Sequence, residues 1–248
     1  MLKSGIEKIW YADMSYYEVK IIDIKNIALN TYCIRVEKPE GYSFIPGQFT
    51  NLLFDETNPI NKKALFCFTG LTNADYLEFI VKYNNNGNLL VNRIVNSAVD
   101  DKIKIGKPQG TFRYKGKGIF IVAGTGITPV LSIFRNLWLE NNLAGNKLIY
   151  SSKTMDDVIQ HNELSEMLNT DYINLFTKQR YKGFYFGRID DNFLRMHITD
   201  IAQYFYINGS SHFVQSICSI LKGLNVHDES VIIEEEIFKQ NQLTKILQ

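Results

Sequence analysis

Residues 119–130 read IFIVAGTGITPV, and the fold of this 248-residue chain turns on them. Four apolar residues, Ile119 to Val122, run into Gly124 and Gly126, with Thr125 and Thr128 beside them and Pro129 directly after. A short unbroken apolar run is the pattern of a strand buried on both faces, and proline suits the first turn of a helix. The stretch therefore predicts a strand turning tightly into a helix. In an open parallel sheet such a turn lies at the carboxyl end of a strand, where the helix start presents free backbone N–H groups to an anion. A missing Cβ lets the backbone approach a diphosphate, and the threonines can add hydroxyls. The same residues also make a plain βα turn that holds nothing, and short glycine patterns recur by chance. Both readings stand at this point.

Working outward, strand and helix patterns alternate from about Tyr114: GIFIVAG with TPVLSIFRNLWLENN, NKLIYSS with DVIQHNELSEML, YINLFTK, QYFYING with SSHFVQSICSILKGL, and ESVIIEE. That alternation implies right-handed crossovers and a doubly wound α/β parallel sheet. QYFYING repeats the strand-end geometry, with Asn208 and Gly209 at the turn and Ser210 and Ser211 as ordinary helix caps or ligand contacts. Before FRYKGKG the rhythm differs. YEVKIIDIKNI, TYCIRVEKP, FTNLLFD, ALFCFTGL, DYLEFIVKY and DKIKIGKPQGTFRY are short β segments bounded by Gly, Pro, Asn or Asp, which suggests a small antiparallel β-barrel. One helix, GNLLVNRIVNSAV, interrupts them, with Leu89, Val91, Ile94, Val95 and Val99 on a helical period. The expected organisation is a leader over 1–14, a barrel over 15–114, an α/β domain over 115–238 and a tail over 239–248. Within the leader, Ile6, Ile9 and Trp10 stand at near-helical spacing and suit a helix that covers the barrel or, alternatively, forms a dimer contact.

Lys and Arg number 27 against 26 Asp and Glu, so no net field favours nucleic acid. Three cysteines, Cys33, Cys67 and Cys218, stand far apart, which argues against a zinc site, an iron–sulfur cluster or a disulfide framework. His161, His197, His212 and His227 lack metal-ligand spacing. No signal peptide or membrane span is legible, so a cytoplasmic protein without a metal is expected.

With KPEGYSFIPGQF and ALFCFTGL in the barrel half and GTGITP and YINGSS in the other, the chain resembles the ferredoxin–NADP reductase superfamily from Tyr17 to about Phe238. The resemblance implies an antiparallel β-barrel that binds FAD, followed by a Rossmann-like domain that binds NAD(P)H. The nicotinamide would deliver hydride to the flavin, and electrons would leave to a redox partner such as ferredoxin or flavodoxin, or to a small-molecule acceptor. It assigns Gly124, Thr125, Gly126, Thr128 and Pro129 to the pyridine nucleotide, with Ser151 and Lys153 after the next strand; Lys153 could meet a 2′-phosphate. Leu65, Phe66, Cys67, Phe68 and Thr69 fall on the flavin strand, Lys82 and Tyr83 on the next strand's end, and Gly87, Asn88 and Leu89 at the helix that follows. Cys67 takes the place of a hydroxyl facing the flavin N5, though a lone cysteine also serves as core filler. Phe238 takes that of an aromatic covering the flavin. Pro46, Gly47 and Gln48 are read as a structural turn.

The sequence also departs from the family pattern. Ala64 stands where an arginine pairs with the flavin diphosphate, a contact worth about 1.5–3 kcal/mol, so FAD affinity would fall by roughly one or two orders of magnitude unless the charge is replaced. Lys62 or Lys63 could supply charge without the planar fork. Leu89 replaces a hydroxyl residue at the helix start, Asn208 replaces a cysteine near the nicotinamide, and His212 is read as a surface histidine. Glu234 to Glu236 are read as a solvated strand end. Together the departures motivate a second reading: a relative that keeps the fold, binds flavin weakly or not at all, and acts as a regulatory or scaffolding subunit.

Overall fold

The computed structural model describes residues 16–54, 64–83 and 89–234. The leader, Lys62, Lys63, Gly87, Asn88, Phe238 and the tail lie outside the described residues, as does the proposed helix over Ile6, Ile9 and Trp10. The antiparallel half holds β1 (Tyr17–Ala28), β2 (Thr31–Glu37), β3 (Phe49–Leu53), β4 (Ala64–Cys67), β5 (Tyr76–Lys82), helix α1 (Leu89–Val95) and β6 (Lys102–Ile105). Its strands follow the order β4-β3-β6-β1-β2-β5. The two outer strands meet through an antiparallel bridge between Phe68 and Phe79, so the sheet closes on itself as a barrel. Closure removes the open edges that a sheet of this size would otherwise expose. Alternate side chains of β1 and β2 turn inward, and Ile21, Ile34, Val36, Phe68 and Phe79 fill the interior with α1's Leu90 and Ile94.

The expected helix around α1 ends early. Asn96 Nδ2 donates to the Asn92 carbonyl at 2.8 Å and Ser97 Oγ to the Arg93 carbonyl at 3.0 Å, local bonds that compete with further helix. Val99, expected on the apolar face, is 59% exposed.

The second half contains β7 (Gly118–Ala123), α2 (Thr128–Leu139), β8 (Lys147–Ser152), α3 (His161–Leu168), β9 (Tyr172–Phe176), β10 (Tyr185–Phe186), α4 (Asp191–His197), β11 (Tyr204–Asn208), α5 (Ser211–Gly223) and β12 (Val231–Ile232). Its strands run in the order β10-β9-β8-β7-β11-β12, with every pair parallel. One face packs against α2 and α3, the other against α4 and α5. Ile119 to Val122 are buried on both faces, as their unbroken apolar run requires. Two elements, β10 and α4, fall in a stretch to which sequence reading gave no structure. The helix had a signal, since Asp190 accepts from the Phe193 N–H at 2.8 Å as an N-cap.

Strand order reverses between β7 and β11. Asn208 is level with Val122 across that pair, so the two strand-end turns lie side by side. Among the described residues no helix is long and apolar enough to cross a membrane.

Candidate functional site

A cleft of about 430 Å³ opens where the barrel meets that reversal. Leu65, Phe66 and Cys67 of β4 form one wall with Ile80, Val81 and Lys82 of β5 and Val91 of α1. Thr125, Gly126 and Thr128 face them, together with Asn208, Gly209 and Ser210 from the neighbouring turn. The volume and mixed lining are those of a small-molecule site, at the strand ends where doubly wound sheets bind ligands.

The two glycines of the turn do different things. Gly126 cannot carry a side chain because its Cβ would run into the Asn208 carbonyl, so it lets the two turns pack together. Gly124 has φ +54° and nothing within 4 Å of a Cβ position, which leaves an open face. Its carbonyl accepts from the Tyr150 hydroxyl at 3.0 Å, which pins the turn from below. Asn208 binds the arrangement together: Nδ2 donates to the Gly126 carbonyl at 3.0 Å, and Oδ1 accepts from the Gly209 N–H at 3.1 Å. Thr128 Oγ1 donates to the Thr125 carbonyl at 3.0 Å, while Thr125 is exposed at the cleft. Pro129 is buried in the first turn of α2.

On the barrel side, burial pushes the Cys67 thiol up to about 12; Thr128 beside it pulls the other way, and the Glu234 carboxylate adds to the rise. Cys67 is therefore held as a neutral thiol, a weak hydrogen-bond donor and not a nucleophile. Lys82 Nζ lies 2.6 Å from Oδ1 of Asp157, in the segment after β8. Burial alone would raise the Asp157 carboxyl, but Lys82 and Thr154 hold it below the usual range.

Other expected site residues are placed elsewhere. Phe68 is fully buried and stacked on Phe44 with centroids 4.2 Å apart, so it is barrel core. Thr69 Oγ1 donates to Glu78 Oε1 at 2.9 Å, away from the cleft. Leu89 is 56% exposed and borders a different groove with Phe54 and Arg93, because it sits on the outer face of α1. Tyr83 donates its N–H to Asn30 and does not line the cleft. Ser151 is buried at the end of β8 and Lys153 is exposed just beyond; neither reaches the cleft. Ser210, which does line the cleft, also caps α5 by accepting from the Phe213 N–H, and His212 is exposed. Gly47 meets the Phe112 carbonyl where a Cβ would be, consistent with a structural turn.

Sequence reading missed Ile80, Val81 and Val91, which patterning marks only as core, and Asp157, whose partner lies 75 positions away. It also misread Glu234. That residue is 8% exposed, and its Oε2 accepts from the N–H groups of Thr111 at 2.9 Å and Phe112 at 3.0 Å. Buried backbone donors need an acceptor, and this carboxylate supplies it.

Comparison with known proteins agrees with this fold. Residues 120–219 match the family described as the oxidoreductase NAD-binding domain. NADH-cytochrome b5 reductase 2 of Aspergillus oryzae is 25% identical over 183 residues, covering 70% of this chain and 54% of the relative. The ferredoxin–NAD(P)(+) reductase component of the Pseudomonas putida naphthalene 1,2-dioxygenase system is 24% identical over 209 residues, 80% of this chain and 61% of that one. The chain thus spans about half the length of the first of these curated relatives. Among solved structures, a Neisseria gonorrhoeae ferredoxin NADP+ reductase with bound FAD and NADP superposes with a TM-score of 0.74 at 19% identity, covering 86% of this chain and 92% of the other. The domain match runs through the glycine turn, so residues 120–219 carry the oxidoreductase NAD-binding domain, and the chain shares across both sheets the two-domain fold of that ferredoxin NADP+ reductase.

Proposed function

We propose that the cleft brings NAD(P)H and FAD together, and that the protein passes reducing equivalents from the coenzyme to an external acceptor such as ferredoxin or flavodoxin. One observation carries the reading: the flavin strand and both nucleotide turns, far apart in sequence, line a single cleft. The residues present fit the two ring systems. Leu65, Phe66, Ile80 and Val91 offer apolar surface to a flat ring, and the open face over Gly124 admits a phosphate close to the backbone. Ala64 offers no guanidinium, so the phosphate end of the flavin rests on fewer contacts.

The chemistry supplied by bound FAD is acceptance of a hydride and release of electrons, for which no protein acid or base is required. This chain's own residues orient and shield. Thr125 and the amides of the turn would hold the coenzyme diphosphate, and Asn208 fixes the turn against the end of β11. Cys67 would present its thiol proton toward the flavin ring without ionising. A reducing, cytoplasmic setting belongs to the same reading, supported by three free cysteines.

The test is the visible spectrum of the purified protein after incubation with FAD. Flavin absorption bleached anaerobically by NADH or NADPH is the expected result. Failure to retain flavin would favour the scaffolding reading that Ala64 and the displaced Leu89 motivate.

A further inference from the structure

Lys82 is the one ionic side chain among the described residues lining the cleft, and it is already engaged by Asp157 at 2.6 Å. The two ends of this ion pair differ. Asp157 is 8% exposed and fixed, because Oδ2 accepts from the Thr154 N–H at 3.2 Å and from Thr154 Oγ1 at 2.9 Å in a capping box. Lys82 carries a compact charge on a flexible stem, with 29% of its side chain exposed. One end can move while the other cannot.

We propose that Asp157 sets the affinity of the cleft for a diphosphate by competing with the ligand for Lys82; the inference rests on the reading of the cleft as a coenzyme site. An anion entering over Thr125 and Gly126 meets a cleft whose lining cation is neutralised. Recruiting that ammonium leaves Oδ1 of a buried carboxylate without its counter-charge, which is costly in a poorly solvated place. Binding is therefore an exchange of one anion for another at Lys82, and the protein's own carboxylate lowers the net affinity. Asp157 touches no ligand in this scheme and acts through Lys82 as a positioning residue.

The test is titration calorimetry of the full chain with two probes, NADH and inorganic pyrophosphate, in wild type, Asp157→Asn, Lys82→Met and the double variant. Asparagine keeps an acceptor for Thr154 and removes the charge that holds Lys82. Asp157→Asn should bind each probe about fivefold or more tightly than wild type, and the gain should vanish in the double variant. Equal affinity in Asp157→Asn and wild type, or a gain that survives Lys82→Met, would overturn the proposal. If Asp157→Asn fails to fold, Lys82→Met, which leaves the capping box in place, decides: it should bind pyrophosphate more weakly and with a flatter salt dependence, and unchanged binding sinks the idea. Pyrophosphate gaining affinity while NADH binds to no variant would refute the coenzyme reading and leave the exchange standing.

Discussion

Among the described residues two ion-pair sites join the barrel to the parallel-sheet half, and they are built for opposite purposes. At one, Arg135 of α2 reaches Glu78 of β5 and Glu163 of α3, and its Nη1 donates to the Thr69 carbonyl at 2.8 Å. Arg35 closes the group on Glu78 Oε2 at 3.0 Å, while Ser132 Oγ donates to the Gly70 carbonyl at 2.9 Å and Thr72 Oγ1 to Asn136 Oδ1 at 2.9 Å. At the other, one lysine meets one aspartate at the lip of the cleft. A planar guanidinium with several acceptors is fixed by its geometry, whereas an ammonium with one acceptor is not. The first site holds the halves in register, and the second leaves a charge that can be reassigned.

The sharpest way to break this contrast is to cut the rigid site. Arg135→Met leaves Glu78, with a side chain only 3% exposed, short of its closest counter-charge, and should lower unfolding stability by about 3–5 kcal/mol in urea titrations. A loss no larger than that of the cleft-side variant would mean the two sites are alike.

The cleft side has its own fixed point, and Gly126 measures it. Gly126→Ala drives a methyl into the Asn208 carbonyl and should cost about 1–3 kcal/mol, seen as a lowered melting temperature. Gly124→Ala meets open space, so only its left-handed backbone resists, at about 1–2 kcal/mol. A larger loss at Gly124 than at Gly126 would reverse the roles assigned to the two glycines.

Acid should weaken the rigid site. Burial alone would raise the Glu78 carboxyl, but Arg135, Thr69 and Arg35 outweigh it and hold it below its ordinary 4.5. A depressed folded-state value means that the stabilisation is fully present above the unfolded value and is lost as pH falls through the folded one. The stability gap between wild type and Glu78→Gln should therefore be constant at neutral pH and shrink below about pH 4.5. A gap independent of pH down to that region's acid side would show that the charge contributes nothing.

The smallest effect is expected at the cleft lip. Lys82→Met should lower stability by about 1 kcal/mol in the same urea titrations, less than Arg135→Met, because Asp157 loses its counter-charge but keeps both bonds from Thr154. A loss matching that of Arg135→Met would make the bridge structural and remove the basis for exchange at Lys82.

How much of this was legible depends on whether the signal is local. The buried run Ile119 to Val122 and the turn after it carry their own pattern, and so do the alternating strands of the barrel. Asp190 before Asn192 and Phe193 was a readable cap that went unread. Phe68 and Thr69 continue β4 in sequence, yet one enters the core and the other turns to Glu78, because the chain bends into the bridge with Phe79 just past Cys67. Glu234 looked like one of three solvated acids, and only the fold shows the two amides it satisfies.

By itself the sequence determined the order of a barrel and a doubly wound sheet and the strand-end glycines, since periodicity, turn chemistry and residue type are properties of neighbouring positions. The tertiary structure alone decided that Lys82 faces Asp157, that Arg135 clamps Glu78, and that Gly126 serves packing while Gly124 stays open. Those pairs lie tens of residues apart, and an ion pair or a backbone contact at such separation has no period and no spacing to read until the sheets close.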